Sequence, residues 1–244
     1  RFMRIIARAY ESANAVMQKH GSEHRSKMPS IDKVHLSGPY EFYNQFENNH
    51  ARGVCFLNTG EIFINMSHFE ILDPKVMEEQ LSMTITHELV HAAVANNYWR
   101  FEAEVGDKKS YSVRRSGLLF TQNIKSRVTG MRHVKERGRA LNEAVTEQLT
   151  QEAYKNSGGT LDLSDMTVRS YAPERRVLKA LQEKFNVDFR LFAEAVVNRR
   201  KLTTLIRAIT EIHQEEKGKP EEEEKSKEKP KKGKKKKEKV ETEN

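Results

Sequence analysis

Ile85-Thr86-His87-Glu88-Leu89-Val90-His91-Ala92-Ala93, near the middle of the 244-residue chain, decides how the rest is read. Asp73-Pro74 upstream is a helix start, with a capping Asp and a Pro at the first helical position. Val76, Leu81, Ile85, Leu89 and Ala92 then recur near one face, which predicts a helix through about residue 95. On it His87 and His91 stand at i and i+4. They project from the same side one turn apart, so both imidazoles reach one metal ion. Glu88 is angled beside that ion, where a carboxylate takes the proton of a water. This is the H-E-x-x-H pattern. Nine His and 29 Glu placed at random would produce about 0.04 such patterns, so the helical context and the small neighbours Thr86, Ala92 and Ala93 must add weight. The plain alternative is a pair of partly exposed histidines on an ordinary helix.

A catalytic zinc takes three protein ligands and keeps one position open. The longer pattern with a third histidine fails, because Val94 and Asn97 occupy its glycine and histidine positions, and no histidine lies between 91 and 133. A better source is Asn142-Glu143-Ala144-Val145-Thr146-Glu147, within a helix predicted over about 138–155. Glu143 and Glu147 share a face there. Glu143 is placed to bind metal, and Glu147 to accept a hydrogen bond from the second nitrogen of a ligand histidine. Otherwise both are solvated helix residues.

Working outward, Ile5, Ile6, Ala9, Ala13, Val16 and Met17 predict a helix over 2–19, closed by Gly21 and followed by a polar loop at 21–32. Residues 33–66 read as β-rich, with Gly53–Leu57 and Glu61–Asn65 flanking the turn Asn58-Thr59-Gly60. Residues 101–137 are ambiguous, with strand pieces around Gly117. Helical patterns return at 173–185 and 188–213, where Phe189, Phe192, Val196, Leu202, Leu205 and Ile209 form an apolar stripe. The sum is α+β with a small mixed sheet and a mainly helical C-terminal half. The folding unit is 1–214, with an upper part of about 1–100 and a helical lower part of about 138–214.

Residues 215–244 hold twelve Lys and ten Glu but one apolar residue, Val240, and read as a disordered tail. The body holds 31 basic and 25 acidic residues of a chain whose net charge is +8. One cysteine, Cys55, excludes a disulfide framework and Cys-rich zinc fingers, and reads as a small buried hydrophobe. No apolar run is long enough to cross a bilayer. The single Cys and the lack of a visible signal segment favour the cytoplasm. The oligomeric state is not readable. His20, His24, His35, His50 and His68 lack ligand spacing and read as surface or packing residues, whereas His133, in the basic insert, could approach the site but nothing in the sequence argues for it.

The pairing of His87-Glu88-Leu89-Val90-His91 with Asn142-Glu143…Glu147 resembles the gluzincin metallopeptidases, the thermolysin-like clan, and the short body is similar to the compact minigluzincins. The resemblance implies a zincin-like fold, one catalytic Zn2+ and hydrolysis of peptide bonds with Glu88 as general base. It implies Glu143 as third ligand, with Glu147 and Asn142 supporting. By position, Glu61, Ile62, Phe63, Ile64 and Asn65 become the edge strand along which a peptide or protein substrate lies. The clan also uses a Tyr, His or Arg downstream of the third ligand to hold the oxyanion. Tyr171 is the candidate, in competition with Tyr154, Arg169 and His213. One departure is the 52-residue gap from His91 to Glu143, which contains the basic runs Arg114-Arg115-Ser116-Gly117 and Arg132 to Arg139. The net charge supports a second reading, a catalytically silent basic protein binding nucleic acid or an acidic partner on such a scaffold, with weak polyanion contact through the tail. A zinc hydrolase of non-peptide amides is a third.

Overall fold

The computed structural model describes residues 1–21, 28–48, 50–57, 59–95, 99–105, 109–126, 132–162, 171–198 and 200–218. The expectations for 22–27, Arg169 and the tail from 219 onward lie outside the described residues.

The predicted helix around His87 is α3, Pro74–Ala95. One apolar face was expected, yet Leu89, Val90, Ala92, Ala93 and Val94 are all buried, so this half of α3 is enclosed on every side. Its neighbours explain why. α1, Phe2–Gly21, lays Ile5, Ile6, Ala9, Ala13, Val16 and Met17 into the core, the stripe its spacing predicts. α4, Arg139–Asn156, packs on the other side with Ala144, Val145, Leu149 and Ala153. Small residues at the contacts of α1 and α4 let the three axes approach closely. α5 (Ala172–Phe185), α6 (Phe189–Val197) and α7 (Lys201–Gly218) complete the helical side. α7 continues through 215–218, residues assigned above to the disordered tail. One hydrophobic cluster runs from Ile5 to Leu205, so the upper and lower parts share a core.

The first sheet holds β1 (Val34–Ser37), β2 (Gly53–Cys55) and β3 (Ile62–Asn65) in the order β1-β3-β2. The hairpin at 53–65 is as expected, with β2 antiparallel to β3. The edge assignment is not. β3 is the central strand, paired in parallel with β1 on its other side, so Ile62, Phe63, Ile64 and Asn65 have no free edge, and Glu61 lies just before the strand. The outer strands are β1 and β2. The stretch 33–66 is also interrupted by α2, Pro39–Phe46, which starts on Pro39 and is capped where Gly38 N–H donates to Glu41 Oε2 at 3.2 Å. That helix carries the crossover that makes β1 and β3 parallel.

The ambiguous 101–137 region is a second sheet, an antiparallel meander of β4 (Trp99–Val105), β5 (Lys109–Ser116), β6 (Leu119–Ser126) and β7 (Arg132–Arg137). Its β5–β6 turn is driven into the body. Gly117 adopts φ 59°, and a Cβ there would sit 2.5 Å from Asn142 Oδ1 and 2.6 Å from Val94 Cγ1, so only glycine fits. Leu118 joins the core beside it. Among the described residues no helix is long and apolar enough to cross a membrane.

A candidate metal centre between α3 and α4

α3 presents His87 and His91 one turn apart, and α4 presents Glu143 opposite them. His91 Nε2 lies 3.1 Å from His87 Nε2 and 3.1 Å from Glu143 Oε2, and His87 Nε2 lies 3.5 Å from the same oxygen. A tetrahedral ion with bonds of about 2.0–2.1 Å separates its ligand atoms by about 3.3–3.4 Å, so the three-atom triangle fits such an ion. Among the described residues these three form the group able to hold a metal.

Electrostatics agree with the distances. Two imidazoles share a buried site with the carboxylates of Glu88, Glu143 and Glu147, a set of charges that a cation could offset. Burial lowers the affinity of the His87 ring for a second proton, but its hydrogen bonds to Glu143 and Glu147 and the charge of Glu88 outweigh that and raise its pKa to about 10. Burial raises Glu143, yet its bonds to His87 and His91 hold it well below the carboxylate range. A divalent cation satisfies the same carboxylates without protonating the ligand nitrogens.

The supporting residues separate by role. Glu147 Oε2 lies 3.3 Å from His87 Nδ1, which directs the ring's other nitrogen to the triangle. Gln151 Nε2 donates to Glu147 Oε1 at 3.0 Å and steadies it. Asn142 does something else: its Oδ1 accepts from Leu118 N–H at 2.9 Å and clamps the second sheet's inner turn to α4, one residue before Glu143.

Glu88 is buried beside the triangle, and burial, reinforced by the charge of Glu143, raises its pKa despite the two histidines. Its neighbour across the cleft is β2. A Cβ added at Gly53 would sit 2.8 Å from Glu88 Cγ and 2.9 Å from Oε1. A cavity of about 320 Å³ opens here, with Arg52, Gly53, Met83, Glu88, Glu147 and Tyr171 among its walls. Sequence reading missed this wall, and the only local signal was a glycine at the start of the strand. The Cys55 thiol is pushed up by burial and by the Glu88 charge, as suits an inert packing residue.

Tyr171 reaches the site from the start of α5. Its ring stacks on His87 with centroids 5.2 Å apart and planes 9° from parallel. Its backbone sits at φ 54°, a left-handed conformation costly for a tyrosine. Burial and then Glu143, Glu88 and Glu147 push its hydroxyl up, so it stays a protonated donor. Tyr154 is excluded from this role because it bonds Glu79 of α3. The side chain of His213 lies outside the described residues.

Chain comparisons add no identity: no family model matches, and neither a curated protein nor a solved structure is significantly similar.

The Tyr154 contact belongs to a clip that seats the chain leading from α4. Glu79 also accepts from Thr160 Oγ1 at 2.7 Å, Thr160 N at 3.1 Å and Leu161 N at 3.1 Å. Burial raises its carboxyl, but these bonds outweigh it and hold the pKa near 2 against an ordinary 4.5. A depressed carboxyl contributes its stability in full above the ordinary value and loses it as pH falls toward the depressed one, here on the order of 3 kcal/mol. Glu79→Gln therefore lowers the urea midpoint at pH 7, and the gap from wild type narrows to about half by pH 3. A gap that stays constant between the two pH values contradicts this.

Proposed function

We propose that the chain is a zinc-dependent metallopeptidase of zincin-like fold, with His87, His91 and Glu143 as the ligands. The observation that carries this reading is the convergence of three ligand atoms from two helices with Glu88 buried beside them. A divalent cation bound there supplies Lewis acidity for hydrolysis. Glu88 takes the proton of the attacking water and passes it to the leaving amine. Its raised pKa suits that exchange, since a base is most effective when its pKa lies near the working pH. Glu147 holds the His87 tautomer. Tyr171 donates its hydroxyl to the oxyanion that forms on the scissile carbonyl. The outer edge of β2, rather than β3, offers main-chain hydrogen bonds to an extended peptide.

Digestion of a peptide library by protein carrying one equivalent of zinc tests the reading. Defined cleavages are expected, and intact peptides after prolonged incubation with fully loaded protein overturn it. Products from small amides but not from peptides favour the non-peptide hydrolase instead. Tyr171→Phe removes one oxyanion donor and lowers kcat about 10²-fold with little change in KM. An equal loss confined to KM assigns Tyr171 to substrate packing.

A further inference from the structure

A second cavity, of about 700 Å³, lies between α4 and α5 and shares no lining residue with the one beside Glu88. Its size suits a small molecule. Helical spacing builds both walls. Gln148, Gln151, Glu152 and Lys155 recur along one face of α4. Arg175, Arg176, Lys179 and Gln182 do the same on α5, which packs against it. A stripe at this spacing between two packed helices is ordinarily apolar. Here the one apolar residue of the lining is Ala172, so an apolar ligand has nothing to bury against.

The charges of the walls do not cancel. Glu152 is the one carboxylate of the lining, and it is already engaged by Lys19 Nζ at 2.5 Å and His20 Nε2 at 2.9 Å. Of the four cations, Lys179 meets Glu183 at 3.6 Å in an exposed i,i+4 pair, an interaction worth little. Lys155, Arg175 and Arg176 make no ion pair with a described carboxylate. Helix α5 gains nothing from its two arginines, which stand near its N-terminus, where the helix dipole disfavours cations. The α4 wall is also set before any ligand arrives. Gln151 Nε2 is tied to Glu147 Oε1 at 3.0 Å, and Glu152 is tied to α1 through Lys19 and His20.

The ligand that fits these walls is an anion with charge at more than one point. Arg175 and Lys179 stand one helical turn apart, about 6 Å along the axis, so a single phosphate meets one of them and a chain of phosphates meets both. Guanidinium forks pair phosphate oxygens two at a time, and the glutamine amides add neutral donors.

We propose that the cavity between α4 and α5 binds a small oligophosphate. Neither the metal nor Glu88 enters this proposal, so it and the peptidase reading stand or fall separately.

Isothermal titration of the full chain with tripolyphosphate tests it, in metal-free buffer because the anion chelates zinc. One molecule per chain is expected, bound at least about tenfold more tightly than orthophosphate, which reaches fewer of the cations. Arg176→Gln with Lys179→Gln, both at exposed positions, should weaken binding about tenfold or more, the usual cost of losing a charge-assisted hydrogen bond. Lys155→Gln, on the opposite helix, should weaken it about tenfold by itself. Lys234→Gln with Lys236→Gln in the tail should leave it unchanged. Failure of wild type to bind overturns the proposal. So does binding that ignores the groove substitutions and falls with the tail pair, which assigns it to the Lys-rich tail. Equal affinity for orthophosphate reduces the site to a single-anion contact and rejects the oligophosphate. Equal competition by tetraglutamate overturns the proposal in favour of an acidic peptide, such as the chain's own Glu221 to Glu224.

Discussion

Glu88→Gln lowers kcat/KM on any cleaved peptide by about 10³–10⁴-fold and leaves bound zinc at one equivalent. The substitution preserves shape and hydrogen-bond reach in a buried position that fits closely against Gly53. It removes only the ability to take a proton. Because Glu88 does not belong to the His87–His91–Glu143 triangle, metal content should be unaffected. The measurement pairs peptide turnover with elemental analysis of the same sample. Turnover within tenfold of wild type ends the assignment of Glu88 as base. Loss of zinc together with activity shows instead that the site needs this carboxylate to hold the ion.

Glu143→Ala raises the zinc Kd far more than Glu147→Ala does, and that order is the second large effect. Glu143 supplies one corner of the ligand triangle, 3.1 Å from His91 Nε2 and 3.5 Å from His87 Nε2. Without it two imidazoles remain, and two ligands do not make a stable zinc site. Glu147 acts through His87 Nδ1 at 3.3 Å, and loss of such an outer partner costs about 10–100-fold in metal affinity. Competition with a chromophoric chelator ranks the two variants. Equal affinities, or a larger loss for Glu147→Ala, contradict the ligand set.

The site was more legible than the sheet around it, for a reason visible in particular residues. His87, Glu88 and His91 lie within one helical turn and a half, and Glu143 and Glu147 within another. Helix geometry alone places each set on a face. The position of β3 is different in kind. Ile62 to Asn65 read equally well as an edge or a centre strand, because that depends on whether β1, some thirty residues earlier, pairs with it. The short α2 that makes the parallel pairing was hidden in a stretch of aromatic residues that favour strands. Residues 101–137 alternate too weakly for the meander to be seen, since Lys and Arg fall on both faces of the sheet.

Local spacing by itself determined the helices that carry the candidate site and the groups that stand together on each: two imidazoles and a carboxylate on α3, a carboxylate pair on α4, an apolar stripe on α1. Only the tertiary structure decided that the pairs meet. Glu143 lies 52 positions after His91, and the two meet where the β5–β6 turn is pinned, with Gly117 against Val94 and Leu118 N–H bonded to Asn142. The same packing placed Tyr171 over His87 and made β2 the wall of the cleft. Periodicity reports which way a side chain points from its own element; which element it then faces is set by contacts between segments far apart in the chain.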